Sequence, residues 1–256
     1  MLRRVIFVCR MMIGTAARWP VATWLAFWLG KRSAISLDGV DLKLRDASYT
    51  SKIADLAMAW EVIVDKVYDA YPIAAGDVVL DVGGHIGSFA ARAAKAASAG
   101  EVYVCEPFPP TYQLLARNTQ GFNNIDVNQL AISDRNGEAA LFYSKANPAE
   151  NSLLRETDHK VTVTLQTLGA FLDAKGISRI DLMKVDCEGA EYDILFSAKD
   201  HLDKIQKLVM EIHEPRFFGV DAKYSIEGMI ALLEDAGFSV AFKRENRFQG
   251  YIFAHR

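Results

Sequence analysis

A short acid-and-glycine turn carries the first chemical signal in this chain. The segment DVGGHIG, residues 81–87, follows an apolar run and precedes the small-residue run SFAARAAKAA. It reads as a strand-to-helix turn in which Gly83, Gly84 and Gly87 let the backbone bend tightly and approach a ligand. The spacing is not the G-x-G-x-x-G of dinucleotide sites, and no G-K-[ST] follows as a phosphate loop requires. Asp81 would repel a pyrophosphate but suits a cation. Glu106 closes the next strand, where an acid can accept hydrogen bonds from both hydroxyls of a ribose. The chain therefore offers an acid for a ribose, a glycine-lined backbone, and an acid for a charged group without phosphate. S-adenosyl-L-methionine fits that set, with its ribose, its ammonium-bearing tail and its sulfonium.

A second constellation lies downstream. Asp186 and Glu188 are two apart after one apolar run, and Glu211 and His213 are two apart at the end of another. Residues two apart on a strand share a face, and neighbouring parallel strands bring such ends together. Methyl transfer from a sulfonium is an in-line displacement with a neutral leaving group. The protein must hold the nucleophile within about 3–3.5 Å and, for an alcohol, take up its proton. His213 is the preferred general base because histidine titrates near neutrality. Asp186, Glu188 and His213 could instead ligate a divalent metal. Glu211 faces the acceptor beside them. Lys184, inside an apolar strand, calls for a charged partner, and Asp186 points the same way. Glu191 fits the first turn of the next helix, Cys187 is a packing residue, and His85 either touches the cofactor or caps its helix.

These groups need a scaffold that alternates strands and helices. Strands are expected at 77–82, 101–105, 125–130, 180–185 and 207–213, with helices at 87–98, 109–119, 190–198 and 225–236. That order indicates an α/β fold with a mostly parallel sheet, Rossmann-like, with helices on both faces. Residues 238–242 and 248–253 close the chain as an antiparallel pair, and 137–165 forms an inserted hairpin or extended loop. The chain divides into an apolar basic segment (1–33), a strand-and-helix cap (34–75) and the main domain (76–256).

Composition narrows the function. A net charge of −3 gives no footprint for nucleic acid, and D-C-E-G stands where a nucleic-acid methylase would carry N-P-P-[YF]. The odd, dispersed Cys9, Cys105 and Cys187 suggest a reducing, cytoplasmic compartment. Residues 1–32 hold three of the four tryptophans and only basic charges. A secretory signal is interrupted by Arg10, and a membrane span is too short unless it takes in Arg18 and Arg10. Two readings lead: a helix packed on the domain, or a peripheral helix at the inner membrane face with Trp19, Trp24 and Trp28 at headgroup level.

VVLDVGGHIGSFA resembles the first motif of class I S-adenosylmethionine-dependent methyltransferases. The stretch IDLMKVDCEGAEYDIL, residues 180–195, with the upstream VTVTLQTLGAFLD and LAISDRNGEAALF, resembles the FkbM family of those enzymes, with its K-[IV]-D-x-E-G-x-E signature. The resemblance covers residues 76–254 and departs at Gly84-His85, where the family commonly has Ala-Asn. It implies that Asp81 and the 83–87 backbone face the methionine part of the cofactor and that Glu106 binds its ribose. Ala131 and Ile132 border the adenine, Asp186 lies near the tail or reacting centre, and Asn151 and Ser152 lie on the substrate side. It also implies O-methylation of a hydroxyl on a sugar, glycan, lipid-linked intermediate or secondary metabolite. Two competing readings are a nucleotide-dependent oxidoreductase and a non-catalytic cofactor-binding module at a membrane.

Overall fold

The computed structural model of the chain describes residues 2–46, 48–143, 151–154, 156–157, 159–218, 220–221 and 223–256. Strands β3 (Val78–Val82), β4 (Glu101–Cys105), β5 (Ile125–Asn128), β9 (Leu182–Val185) and β10 (Lys207–His213) pair in parallel. The closing strands β11 (Ser239–Arg244) and β12 (Gln249–His255) add antiparallel to β10. The order across this seven-stranded sheet is β11-β12-β10-β9-β3-β4-β5. The strand order reverses between β3 and β9, so the ligand crevice of an open α/β sheet falls at their carboxyl ends.

The strands are apolar on both sides because both sides are covered. Val79, Val102, Val104, Leu182 and Val209 point into one core, with helix α4 (Ser88–Ala96). Their neighbours Leu80, Tyr103, Met183 and Leu208 point into the other, with α6 (Leu168–Lys175), α7 (Glu191–Ser197) and α9 (Ile226–Asp235). This one-residue alternation is the pleat read directly as packing.

The expected third strand is shorter than its sequence pattern. It leaves the sheet after Asn128, and residues 131–133 become strand β6 of a separate three-stranded sheet. There β6 runs parallel to β8 (His159–Thr167), which forms the expected hairpin with β7 (Gly137–Tyr143). β8 competes for the backbone groups of Ala131–Ser133 and wins them from the main sheet.

The N-terminal part is a helical pair, α1 (Leu2–Arg18) and α2 (Val21–Trp28), then a two-stranded ribbon and α3 (Tyr49–Ile63). Met11, Trp19, Phe27 and Trp60 enter the same core as Ala90 and Ala94 of α4. The tryptophan indoles find their partners within the cap. The indole of Trp19 donates to the carbonyl of Ser36 at 2.7 Å, that of Trp24 to Met12 at 3.0 Å, and that of Trp28 to the Thr15 hydroxyl at 3.2 Å. Each indole N–H is satisfied inside the cap, which fixes the rings inward. Among the described residues, no helix is long and apolar enough to cross a membrane.

Candidate active site

The glycine turn sits where β3 meets the end of β9. Gly83 has φ +83°, and a Cβ there would lie 2.0 Å from the carbonyl oxygen of Asp186. A Cβ on Gly84 would lie 2.2 Å from Val104 Cγ1. Both glycines therefore admit protein neighbours first, and the close approach of the 186–188 loop to the turn follows from them. Below the turn, Asp81 and Lys184 are register partners on adjacent strands, 3.1 Å apart. Lys184 also donates to the carbonyl of Gly83 at 2.6 Å. Burial works against the Lys184 ammonium, but Asp81 and then Asp186 outweigh it and raise its pKa. The Asp81 side chain is fully enclosed and lies outside the cavity lining. The cation against it in the structure is the Lys184 ammonium, under the loop.

A cavity opens above. Of the residues expected at a site, Gly83, His85, Glu106, Ala131, Ile132, Asn151, Asp186 and Glu188 line it. Gly84, Gly87, Ser152, Glu211 and His213 do not. Glu106 accepts from the backbone N–H of His85 at 3.1 Å and of Phe108 at 2.9 Å. Burial pushes its carboxyl up to about 7 despite those two bonds. Asn151 presents a buried amide oxygen with no hydrogen-bond partner among the described residues. Ser152 is buried behind it, its hydroxyl donating to the carbonyl of Glu188 at 3.2 Å.

The cap reaches this cavity, which sequence reasoning missed. Met58 of α3 lines it. Arg45 bonds His85 Nε2 at 2.9 Å and the Thr111 hydroxyl at 3.1 Å. Guanidinium nitrogens only donate, so Nε2 accepts and the His85 proton sits on Nδ1. Burial, then the charges of Arg45 and Lys184, hold the His85 pKa well below its usual value. A neutral imidazole with a fixed tautomer therefore stands in the glycine turn.

The second constellation converges beside the cavity. Asp186, Glu188 and His213 each bring one ligand-type atom within 4.8 Å of the others. His213 Nδ1 lies 3.0 Å from Glu191 Oε1, which also accepts from the N–H of Cys187 and Gly189. Glu188 and Glu211 lie 3.9 and 3.8 Å from Nε2. Burial opposes charge on His213, but Glu191, Glu188 and Glu211 overcome it and raise its pKa to about 10. That direction favours the imidazolium over the neutral base expected from the unperturbed pKa. Glu191, read as a helix-dipole residue, anchors this histidine and the loop. The Tyr68 hydroxyl lies 2.9 Å from Asp186 and 3.1 Å from Glu211. One phenolic proton faces two carboxyl groups, and burial, then Asp186, raises the Glu211 pKa well above its usual value. Glu211 is further bonded by Gln249, so it faces protein groups instead of the acceptor. Lys184 reaches Asp186 only at 3.9 Å, because Asp81 is nearer.

A parallel sheet with its switch point at β3/β9, an acid at the end of β4 and an acidic loop after β9 define a class I methyltransferase fold. The comparisons agree. The family model for the methyltransferase FkbM domain matches residues 81–240, and the chain belongs to this family. Methyltransferase 1 of Beauveria bassiana is 28% identical over 208 residues, which cover 72% of this chain and 81% of that one. The 31-O-demethyl-FK506 methyltransferase FkbM of Streptomyces tacrolimicus is 26% identical, covering 74% of this chain and 84% of its own. The crystal structure of Pyrococcus horikoshii PH0793 shares the fold at a TM-score of 0.50 and 11% identity, covering 91% of this chain and 80% of that one. The chain is an S-adenosylmethionine-dependent methyltransferase. The oxidoreductase reading falls with that assignment.

Proposed function

We propose that the protein transfers a methyl group to a hydroxyl of a small-molecule or glycan acceptor. The observation that carries this reading is the single cavity running from Glu106 to Asp186 and Glu188. Glu106 holds the ribose hydroxyls, as strand-end acids do in this topology. Ala131 and Ile132 give the adenine an apolar wall, and the unpartnered oxygen of Asn151 accepts a hydrogen bond from the bound molecule. His85 offers its Nδ1–H at the loop. S-adenosylmethionine, bound there, supplies a methyl group on a cationic sulfur. The acidic loop suits that charge. Asp186 takes the acceptor's hydroxyl proton, with Tyr68 and Lys184 fixing its position. The imidazolium of His213 offsets the charge of Glu191 and Glu188. The Streptomyces relative, whose name places its methyl on an oxygen, supports an alcohol acceptor.

A divalent cation bound by Asp186, Glu188 and His213 is the second reading. It is favoured by their mutual distances and by Glu191 holding the far nitrogen of His213, as metal-ligating histidines are commonly held. Activity that survives exhaustive dialysis against EDTA decides against it.

The test is transfer of label from methyl-tritiated S-adenosylmethionine to a panel of sugars, glycans and polyols. Asp186→Asn should lower turnover by about 10²- to 10⁴-fold while cofactor-product affinity stays near wild type. An Asp186→Asn enzyme at wild-type rate would remove Asp186 from the reaction.

A further inference from the structure

Four of the six large apolar side chains that stand exposed among the described residues lie between residues 13 and 29. On α2, Val21 is 73% exposed, Leu25 45% and Leu29, just past its end, 66%. A spacing of four places these three on one helical stripe. The opposite side of α2 carries Phe27, fully buried, and Trp24 and Trp28, whose indoles bond α1. The helix therefore packs inward through its aromatic residues and presents an aliphatic edge outward. No charged residue lies in it. Ile13 of α1 is a further 73% exposed aliphatic.

Charge supplies the second half of the argument. Six basic residues and no acidic one precede Asp38. Arg10 is taken by Asp65 and Arg18 reaches Asp38 at 3.5 Å, but Lys31 and Arg32 stand exposed directly after the stripe. An aliphatic edge bordered by basic residues is complementary to an anionic lipid surface. There, apolar side chains enter the acyl boundary and lysine or arginine meets the headgroups. A stripe of this kind on water is otherwise unfavourable.

We propose that residues 20–32 dock the enzyme on an anionic membrane surface, with Val21, Leu25 and Leu29 as the inserted groups. The docking does not use the tryptophans. It is mechanically joined to the site, because the buried Lys52 of α3 donates to the carbonyls of Gly30 and Arg32, both at 3.2 Å, and α3 carries Met58 into the cavity. The partner is a bilayer, and the inference stands apart from the choice of methyl acceptor.

Sedimentation of the full chain with vesicles tests it. Phosphatidylcholine vesicles are compared with equimolar phosphatidylcholine and phosphatidylglycerol. The wild type should pellet with the anionic vesicles, and added salt should release it. Val21→Ser/Leu25→Ser/Leu29→Ser and, separately, Lys31→Glu/Arg32→Glu should each weaken binding by about tenfold or more. Both variants should keep wild-type affinity for S-adenosylhomocysteine, which reports an intact fold. A wild type that stays in the supernatant overturns the proposal, as does a folded triple-serine variant that pellets equally. A concentration-dependent dimer abolished by the triple-serine change would assign the stripe to a second copy of the chain and overturn it too.

Discussion

Asp81 and Lys184 stand opposite each other on neighbouring parallel strands, 3.1 Å apart with both side chains almost wholly enclosed. Neither lines the cavity, yet the ammonium grips the carbonyl of Gly83 and so holds the floor of the glycine turn. Removing one member leaves the other as an uncompensated buried charge. Asp81→Asn should lower unfolding stability by about 3–5 kcal/mol. Asp81→Leu/Lys184→Met should lose much less than the two single changes together. Urea unfolding of the four proteins checks this, and additive losses would deny the pairing its role.

Gly83 is under a different constraint. Alanine there must adopt a left-handed backbone and also overlap the carbonyl of Asp186. Gly176 has a similar φ of +68° but nothing within 4 Å of an added Cβ. Gly176→Ala should cost about 1 kcal/mol, the backbone term alone. Gly83→Ala should cost clearly more and should also weaken S-adenosylhomocysteine binding. Equal losses at the two positions would show that the β3–β9 approach is not tight.

Glu106 should make cofactor affinity depend on pH. Its carboxyl is raised to about 7 in the folded chain, where burial outweighs the bonds from Phe108 and His85. Ribose hydroxyls donate best to the ionised form, so affinity for S-adenosylhomocysteine should rise as pH passes upward through that value. The sign for stability is opposite. A raised carboxyl favours the folded state fully below its unfolded pKa, and that contribution fades as pH climbs through the folded one. Glu106→Gln should bind more weakly and with a flat profile between about pH 6 and 8. A steep profile retained in Glu106→Gln would place the titrating group elsewhere, with Asp55 and its pKa of about 6 the neighbouring candidate.

Arg45 should act through His85. Arg45→Ala removes the donor that fixes the imidazole tautomer, so it should weaken S-adenosylhomocysteine binding without contacting the cavity itself. The measurement is binding affinity together with the nitrogen NMR shifts of His85. An unchanged Nδ1–H tautomer in Arg45→Ala would end this coupling.

Much of the frame was legible in the sequence because it is local. The glycine turn, the apolar strand runs and the D-C-E-G-A-E loop each announce themselves within ten residues. Glu106 was expected from the position of an acid at a strand end, and it lines the cavity. What sequence could not supply was pairing across long separations. Tyr68 meets Asp186 and Glu211 from 118 and 143 residues away. Arg45 meets His85 from a cap that carries no motif. His213 looked like a base by residue type, and only its three acidic neighbours convert it to a cation. The sequence left the tryptophans open to a packed or an interfacial role and could not show the partners that their indole donors find in the cap.

The most direct test is a crystal structure of the protein with S-adenosylhomocysteine. The ribose hydroxyls should lie on the Glu106 carboxylate, the adenine against Ala131 and Ile132, and the sulfur within reach of Asp186. A ribose bound away from Glu106, or a cofactor seated outside this cavity, would contradict the assignment of the site.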